Sequence, residues 1–145
     1  MQIDLNSLDF LLERHEEVRF VVKDLEHRYV HVNQTWLNSF GYIAPDKVLG
    51  KTAWDLFPKW RAQRYINEEK NVMANLQSED YQEFLLNNEG VPERWRTLKS
   101  PWLKNGVIAG YINIGIKLED QGQLEKRSDL LPPIVQSIAK HACEN

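Results

Sequence analysis

With 145 residues, 42% of them hydrophobic and 10% aromatic, the chain is sized for one domain around one core and is too apolar to stay disordered. Its net charge is −3 and its lysines and arginines are scattered, which excludes the concentrated basic footprint of a nucleic-acid binder. No apolar run approaches the ~20 residues that cross a bilayer, no basic-then-apolar leader opens the chain, and the single cysteine, Cys143, excludes an internal disulfide framework, so a cytoplasmic location is expected.

Asn6 or Ser7 is placed to cap a short first helix, with Leu5, Leu8, Leu11 and Leu12 on one face and Asp9 near its positive end. Val18 to Lys23 is β-branched and aromatic and predicts a strand; a polar turn over Asp24 to Arg28 then leads into a second strand, Tyr29 to Val32, so the two form an antiparallel hairpin. Asn33 precedes Trp36, Leu37 and Phe40 at helical spacing, and Gly41 ends that helix. Pro45 opens a short turn that Gly50 closes. Trp54, Leu56 and Phe57 then make an apolar knot terminated by Pro58. From Trp60 to Leu76 no glycine or proline intervenes, which predicts the longest helix. Its apolar side is Tyr65, Val72, Met73 and Leu76 with Ile66 on the flank, and Arg61, Arg64, Glu68 and Lys70 surround the remainder.

Three strands are predicted to close the unit. Tyr81 to Leu86 is followed by a turn at Asn87 to Gly90. Arg94 to Leu98 alternates charged and apolar residues, predicting one covered and one wet face. Lys104-Asn105-Gly106 is the strongest hairpin signal, since Asn-Gly favours the type I′ turn. It leads into Val107 to Leu118, with Ile108, Ile112, Ile114 and Ile116 on one face and Tyr111, Asn113, Gly115 and Lys117 on the other. Residues 120 to 128 are polar, like a connector, and Pro132-Pro133 starts a last helix striped by Ile134, Val135, Ile138, Ala139 and Ala142. This order predicts an α+β fold: one five-stranded antiparallel sheet with short helices on one face, an N-terminal amphipathic helix over 1–17, a central unit over 18–119, and a connector with the start of an output-linked helix over 120–145. The N-terminal helix is the expected cover for the second sheet face.

The run Phe20-Val21-Val22-Lys23-Asp24, Tyr29-Val30-His31-Val32-Asn33, Phe40-Gly41-Tyr42, Val48-Leu49-Gly50-Lys51-Thr52 and Asp55-Leu56-Phe57-Pro58 resembles the first half of a PAS domain. Ala62, Tyr65 and Val72 are similar to the long helix of that family, and Trp95, Pro101, Gly106, Gly110 and the isoleucine strand to its second half. Two positions depart: His27 stands where a turn glycine is common, and Leu76 where the long helix often ends in glycine. The resemblance implies a sensory domain whose sheet and short helices enclose an apolar cavity. Flavin-adduct members carry a cysteine in an Asn-Cys-Arg-Phe run, which Thr52 to Leu56 lacks, and haem-binding members use a histidine on the long helix, which Trp60 to Leu76 lacks. Neither a covalent flavin nor haem is therefore expected; noncovalent flavin stays open, and the cofactor, if one exists, is unknown.

No catalytic constellation is expected. His15, His27, His31 and His141 are scattered, His141-Ala142-Cys143 offers two metal ligands without a third, and Gly50-Lys51-Thr52 has Pro45 where a phosphate loop needs glycine. No metal site and no enzyme activity follow. Trp36, Trp54, Phe57, Tyr65 and Trp95 are the large side chains expected near the interior, with Asn113 a polar anchor if its face points inward. They are the candidate small-molecule pocket. Aromatic stripes more often mean a filled core, and that simpler reading stands slightly ahead. Charged residues such as Glu68, Glu69, Lys70, Glu125, Lys126 and Arg127 read as solvated faces.

The functional expectation is a regulatory module that binds a small molecule or a protein partner, pairs with a second copy through the first helix and the open sheet face, and makes no nucleic-acid or membrane contact itself. Asp129 to His141 resembles the lead-in helix of AraC-type helix-turn-helix regulators, so the expected output is a DNA-binding domain outside this chain. The alternatives are the input domain of a histidine kinase or diguanylate cyclase, and a ligand-free dimerisation module.

Overall fold

The computed structural model describes residues 18–86 and 89–118, together with Ala139, Lys140 and Cys143. The first helix, the Asn87-Asn88 turn and the connector up to residue 138 fall outside the described residues. Two strands come first, β1 (Val18–Asp24) and β2 (Tyr29–Val32). Helix α1 (Gln34–Ser39), a 3₁₀ turn at Pro45–Lys47, helix α2 (Ala53–Leu56) and helix α3 (Lys59–Asn75) follow, then strands β3 (Glu79–Leu86), β4 (Pro92–Lys104) and β5 (Val107–Lys117).

All five strands join one sheet in the order β2-β1-β5-β4-β3, and every neighbouring pair is antiparallel. The first and last strands of the unit are thus partners, Val18 opposite Ile116 through Asp24 opposite Gly110. At that last pair the backbones approach so closely that a Cβ on Gly110 would lie 1.9 Å from the Lys23 carbonyl oxygen, so only glycine fits. The β4–β5 hairpin turns at Asn105 (φ +52°) and Gly106 (φ +77°), as the Asn-Gly pair predicts.

The strand pleat sends alternate residues to opposite faces. Phe20, Val22, Leu98, Trp102, Ile112 and Ile114 form a buried cluster on the outer face, with Ala139 buried against them and Cys143 packed alongside. The helices lie over the inner face. There Val21, Tyr29, Val32, Trp36, Leu37 and Val48 form a second buried cluster, flanked by Phe40, Tyr42, Leu56 and Phe57.

Local chemistry fixes the helices on that face. Asn33, fully buried, caps α1: its Oδ1 accepts the Trp36 and Phe20 N–H groups at 3.0 Å each, and its Nδ2 donates to the Val18 carbonyl at 2.7 Å. One side chain thereby ties the start of α1 to β1. The loop before α2 is zipped onto β2 through the Gly50 N–H to the Tyr29 carbonyl and the Tyr29 N–H to the Lys51 carbonyl, both 2.9 Å. The Thr52 N–H donates to the Asp55 carboxylate at 3.0 Å and caps α2.

Three expectations need correction. Strand β4 is longer than Arg94 to Leu98 and has no wet face, because residues 95 to 102 are buried on both sides. Its charged and polar members face partners instead; Arg96, for instance, donates from Nε to Asp80 Oδ1 at 2.8 Å. The buried stripe of α3 is Ala62, Ile66, Glu69 and Val72, and Leu76 is 60% exposed, because it caps the helix in the left-handed conformation (φ +53°) and turns away from the sheet. Trp54 is 43% exposed: α2 turns Ala53, Leu56 and Phe57 inward at i, i+3 and i+4, and Trp54, about 100° around from Ala53, faces solvent.

Candidate functional site

Between the inner sheet face and the helices lies a cavity of about 300 Å³. Five of the six predicted pocket residues line it: Trp36, Phe57, Tyr65, Trp95 and Asn113. Trp54 does not, for the geometric reason given above.

The helical wall is aromatic. Trp36 packs on Phe40 with ring centroids 4.7 Å apart, Phe40 meets Phe57 edge-on at 5.1 Å, and Phe57 meets Tyr65 edge-on at 5.5 Å. These are the offset and edge-to-face arrangements that ring quadrupoles favour. Trp36 also stacks nearly parallel to Tyr42 at 6.2 Å, which backs the wall from behind.

The sheet side is polar. Trp95 is 2% exposed, and its indole N–H has no hydrogen-bond partner among the described residues. The Arg19 guanidinium lies 4.4 Å from the centre of the Trp95 ring and donates from Nε to Ser39 Oγ at 3.0 Å. Burial pushes the Arg19 pKa down, and the charges of Glu93, Tyr65 and Glu83 act against that. Gly115 pairs with Arg19 across β1–β5, and a Cβ there would lie 3.4 Å from the Trp95 ring, in ordinary van der Waals contact.

Deeper in, Glu69 is 2% exposed and bridges two side chains: it accepts from Lys23 Nζ at 2.8 Å and lies 2.9 Å from His27 Nδ1. It is no solvated residue, contrary to the sequence reading. Desolvation lowers the Lys23 pKa even though Glu69 opposes it through charge and hydrogen bonding. For Lys99 the balance reverses. Burial again acts downward and is the largest single effect, but hydrogen bonds with Glu68 and Tyr81 outweigh it and leave the pKa raised. Glu68, half-buried, pairs with Lys99 and with Arg64. Tyr111 is held well above its ordinary pKa by burial and then by the nearby carboxylates, against a downward pull from its hydrogen bond with Asn113.

Arg19, Lys23, Glu69, Thr97, Lys99, Tyr111 and Gly115 were not anticipated as site residues. A signal for part of them exists in the sequence: period two puts Arg19, Val21 and Lys23 on one face of β1. Spacings of four, three and three likewise run through Ala62, Ile66, Glu69 and Val72, placing a carboxylate on the helix's inner stripe.

Among the described residues, no group of three His, Cys, Asp or Glu side chains is placed to hold a metal ion, and no helix is long and apolar enough to cross a membrane. No curated protein sequence matches the chain. Solved structures do. The Vibrio cholerae VqmA–ligand–DNA complex superposes with a TM-score of 0.67 at 20% identity over 91% of this chain, which spans 58% of the VqmA chain. The PAS domain of Bordetella pertussis BvgS gives 0.63 at 21% identity, covering 90% of this chain and 97% of that one. The PAS domain of histidine kinase ThkA gives 0.56 at 16% identity, covering 69% and 98%. At these identities the likeness is one of fold. The family model described as the PAS fold matches residues 17–121, most of the chain, and the chain belongs to that family.

Proposed function

We propose that this protein is the sensory part of a regulator: it binds a small ring-bearing molecule between the inner sheet face and the aromatic wall, without catalysing a reaction. The observation that carries this reading is the cavity itself, walled by the rings of Trp36, Phe40, Phe57, Tyr65 and Trp95. Binding in turn shifts the conformational balance only by the ligand's differential affinity for the two states, with ~1.4 kcal/mol moving it tenfold.

The output proposed is a DNA-binding domain of the helix-turn-helix class, with the protein acting as a homodimer in the cytoplasm. The similarity to VqmA, solved with both a ligand and DNA, supports a transcriptional output. The similarity to the ThkA domain supports the rival, an input domain for a histidine kinase. DNA binding against ATP-dependent autophosphorylation of the full-length gene product separates the two.

The binding site is tested by thermal shift and calorimetry against a library of small ring compounds, with Gly115→Leu as the blocked control. Gly115 has an ordinary backbone angle, so leucine there strains no dihedral while its side chain enters the cavity beside Trp95. Expected are hits for the native protein that vanish in Gly115→Leu. Flat titrations throughout, or equal binding by the blocked variant, would overturn the site.

A further inference from the structure

The geometry points to an anionic ligand: an aromatic or heteroaromatic acid whose carboxylate is held by Arg19 and Arg61 while its ring lies against the Trp36–Phe57 wall. This rests on the proposed binding site and adds the chemical class of its occupant.

The argument is one of charge. Five cationic side chains line the cavity, against three carboxylates. Every carboxylate is already engaged. Glu69 is taken by Lys23 and His27, and Glu68 by Lys99 and Arg64. Glu83 accepts from Thr97 Oγ1 at 2.6 Å and lies 3.8 Å from Arg64. Lys23, Lys99 and Arg64 therefore each have an acid.

Arg19 and Arg61 have none at ion-pairing distance among the described residues. Arg19 commits only its Nε, to the neutral Ser39 hydroxyl, and rests on the Trp95 and Phe40 rings. Arg61 lies over Phe57 at 5.5 Å and Trp60 at 5.8 Å, with no carboxylate. Taking a guanidinium out of water without a counter-charge is costly, and arginine's planar fork matches a carboxylate in bidentate fashion. Both guanidiniums rest on aromatic rings and line the cavity.

The cavity's size bounds the rest. About 300 Å³ is at the small end of the ~300–1,000 Å³ typical of ligand sites, which suits one or two fused rings. A cationic or zwitterionic amine would place its ammonium beside those same guanidiniums and is disfavoured.

Calorimetry decides it, using benzoate, 4-hydroxybenzoate, nicotinate and indole-3-carboxylate, each against its own primary carboxamide. In the full chain, at least one acid is expected to bind tenfold or more tighter than its amide. Arg19→Gln should reduce that preference to below about twofold, Arg61→Gln should weaken it, and Arg19→Lys should restore part of it. Melting curves check that the variants fold; should Arg19→Gln fail to, the native acid–amide ratio and Arg61→Gln carry the decision. Amides binding as well as acids, or a preference that survives both glutamine variants, overturn the anionic ligand while leaving the site intact. Binding by neither series overturns both.

Discussion

The two faces of the sheet are built from the same five strands and differ in almost everything else. On the outer face Phe20, Val22, Leu98, Ile112 and Ile114 pack into an apolar layer against Ala139. On the inner face, one residue along each strand, stand Arg19, Lys23, Thr97, Lys99, Tyr111 and Asn113, enclosed with the aromatic wall around open space. A filled apolar layer gains stability from burial, at ~25 cal/mol per Å². A hollow lined by ions forgoes that gain and adds desolvation costs. The inner face thus trades burial for an open, ion-lined space, and substitutions on either side should separate the contributions of the two faces.

The largest effect is expected from breaking the inner ion cluster. Glu69→Ala leaves Lys23 buried without a partner and should cost ~3–5 kcal/mol in chemical denaturation. The double change Lys23→Met with Glu69→Leu should recover most of that loss, since well-packed apolar residues often replace a buried ion pair at little cost. Failure to recover would mean the cluster, rather than the outer layer, organises the fold.

Next comes the outer layer. Ile112 is fully buried one residue before Asn113, and Ile112→Ala should cost about 3 kcal/mol. Ring compounds that bind the native protein should bind the folded variant unchanged. A large loss of affinity at unchanged foldedness would erase the distinction between the faces.

A smaller effect appears in alkali. Tyr111 has its folded pKa raised well above the ordinary 10.0, first by burial. The unfolded chain ionises that phenol near pH 10 and the folded chain does not, so stability is full below pH 10 and falls as pH rises above it. Tyr111→Phe should flatten that slope in denaturation curves measured between pH 9 and 11. Tyr29, also raised by burial, continues to contribute in the variant. An unaltered slope would place Tyr111 in contact with water.

The smallest effect lies outside both faces. Leu76 is exposed and left-handed at the end of α3, a conformation that costs a side chain ~1–2 kcal/mol. Part of that is offset by glycine's extra backbone entropy, so Leu76→Gly should stabilise by ~0.5–1 kcal/mol. A thermal melt that falls instead would show that the Leu76 side chain contributes packing. His27, the other departure from glycine, is also left-handed (φ +64°). There Glu69 gives the imidazole a partner that glycine cannot supply, so His27→Gly carries no such gain.

Much of this architecture was legible in local signals. The β-branched and aromatic run Val18 to Lys23, the Asn-Gly turn, the Asn33 cap and the breaker-free run after Trp60 each obey short-range rules, and each sits where those rules put it. Part of the aromatic wall was legible too, because Trp36 and Tyr65 each stand in an apolar stripe of their own predicted helix. Trp54 misled because a four-residue helix has too little sequence to reveal its phase. Glu69 misled because its partners, Lys23 and His27, lie more than forty residues away, and exposure is the usual fate of a lone glutamate.

Among the described residues, the sequence by itself determined the elements, their order along the chain and the antiparallel sheet, since hydrogen-bonding geometry and side-chain period act over a few residues. Only the tertiary structure decided that the polar face of the strands is the enclosed one. Strand alternation separates two faces but does not say which meets water; that depends on where α3 lies, and hence on long-range contacts such as Glu69 with Lys23.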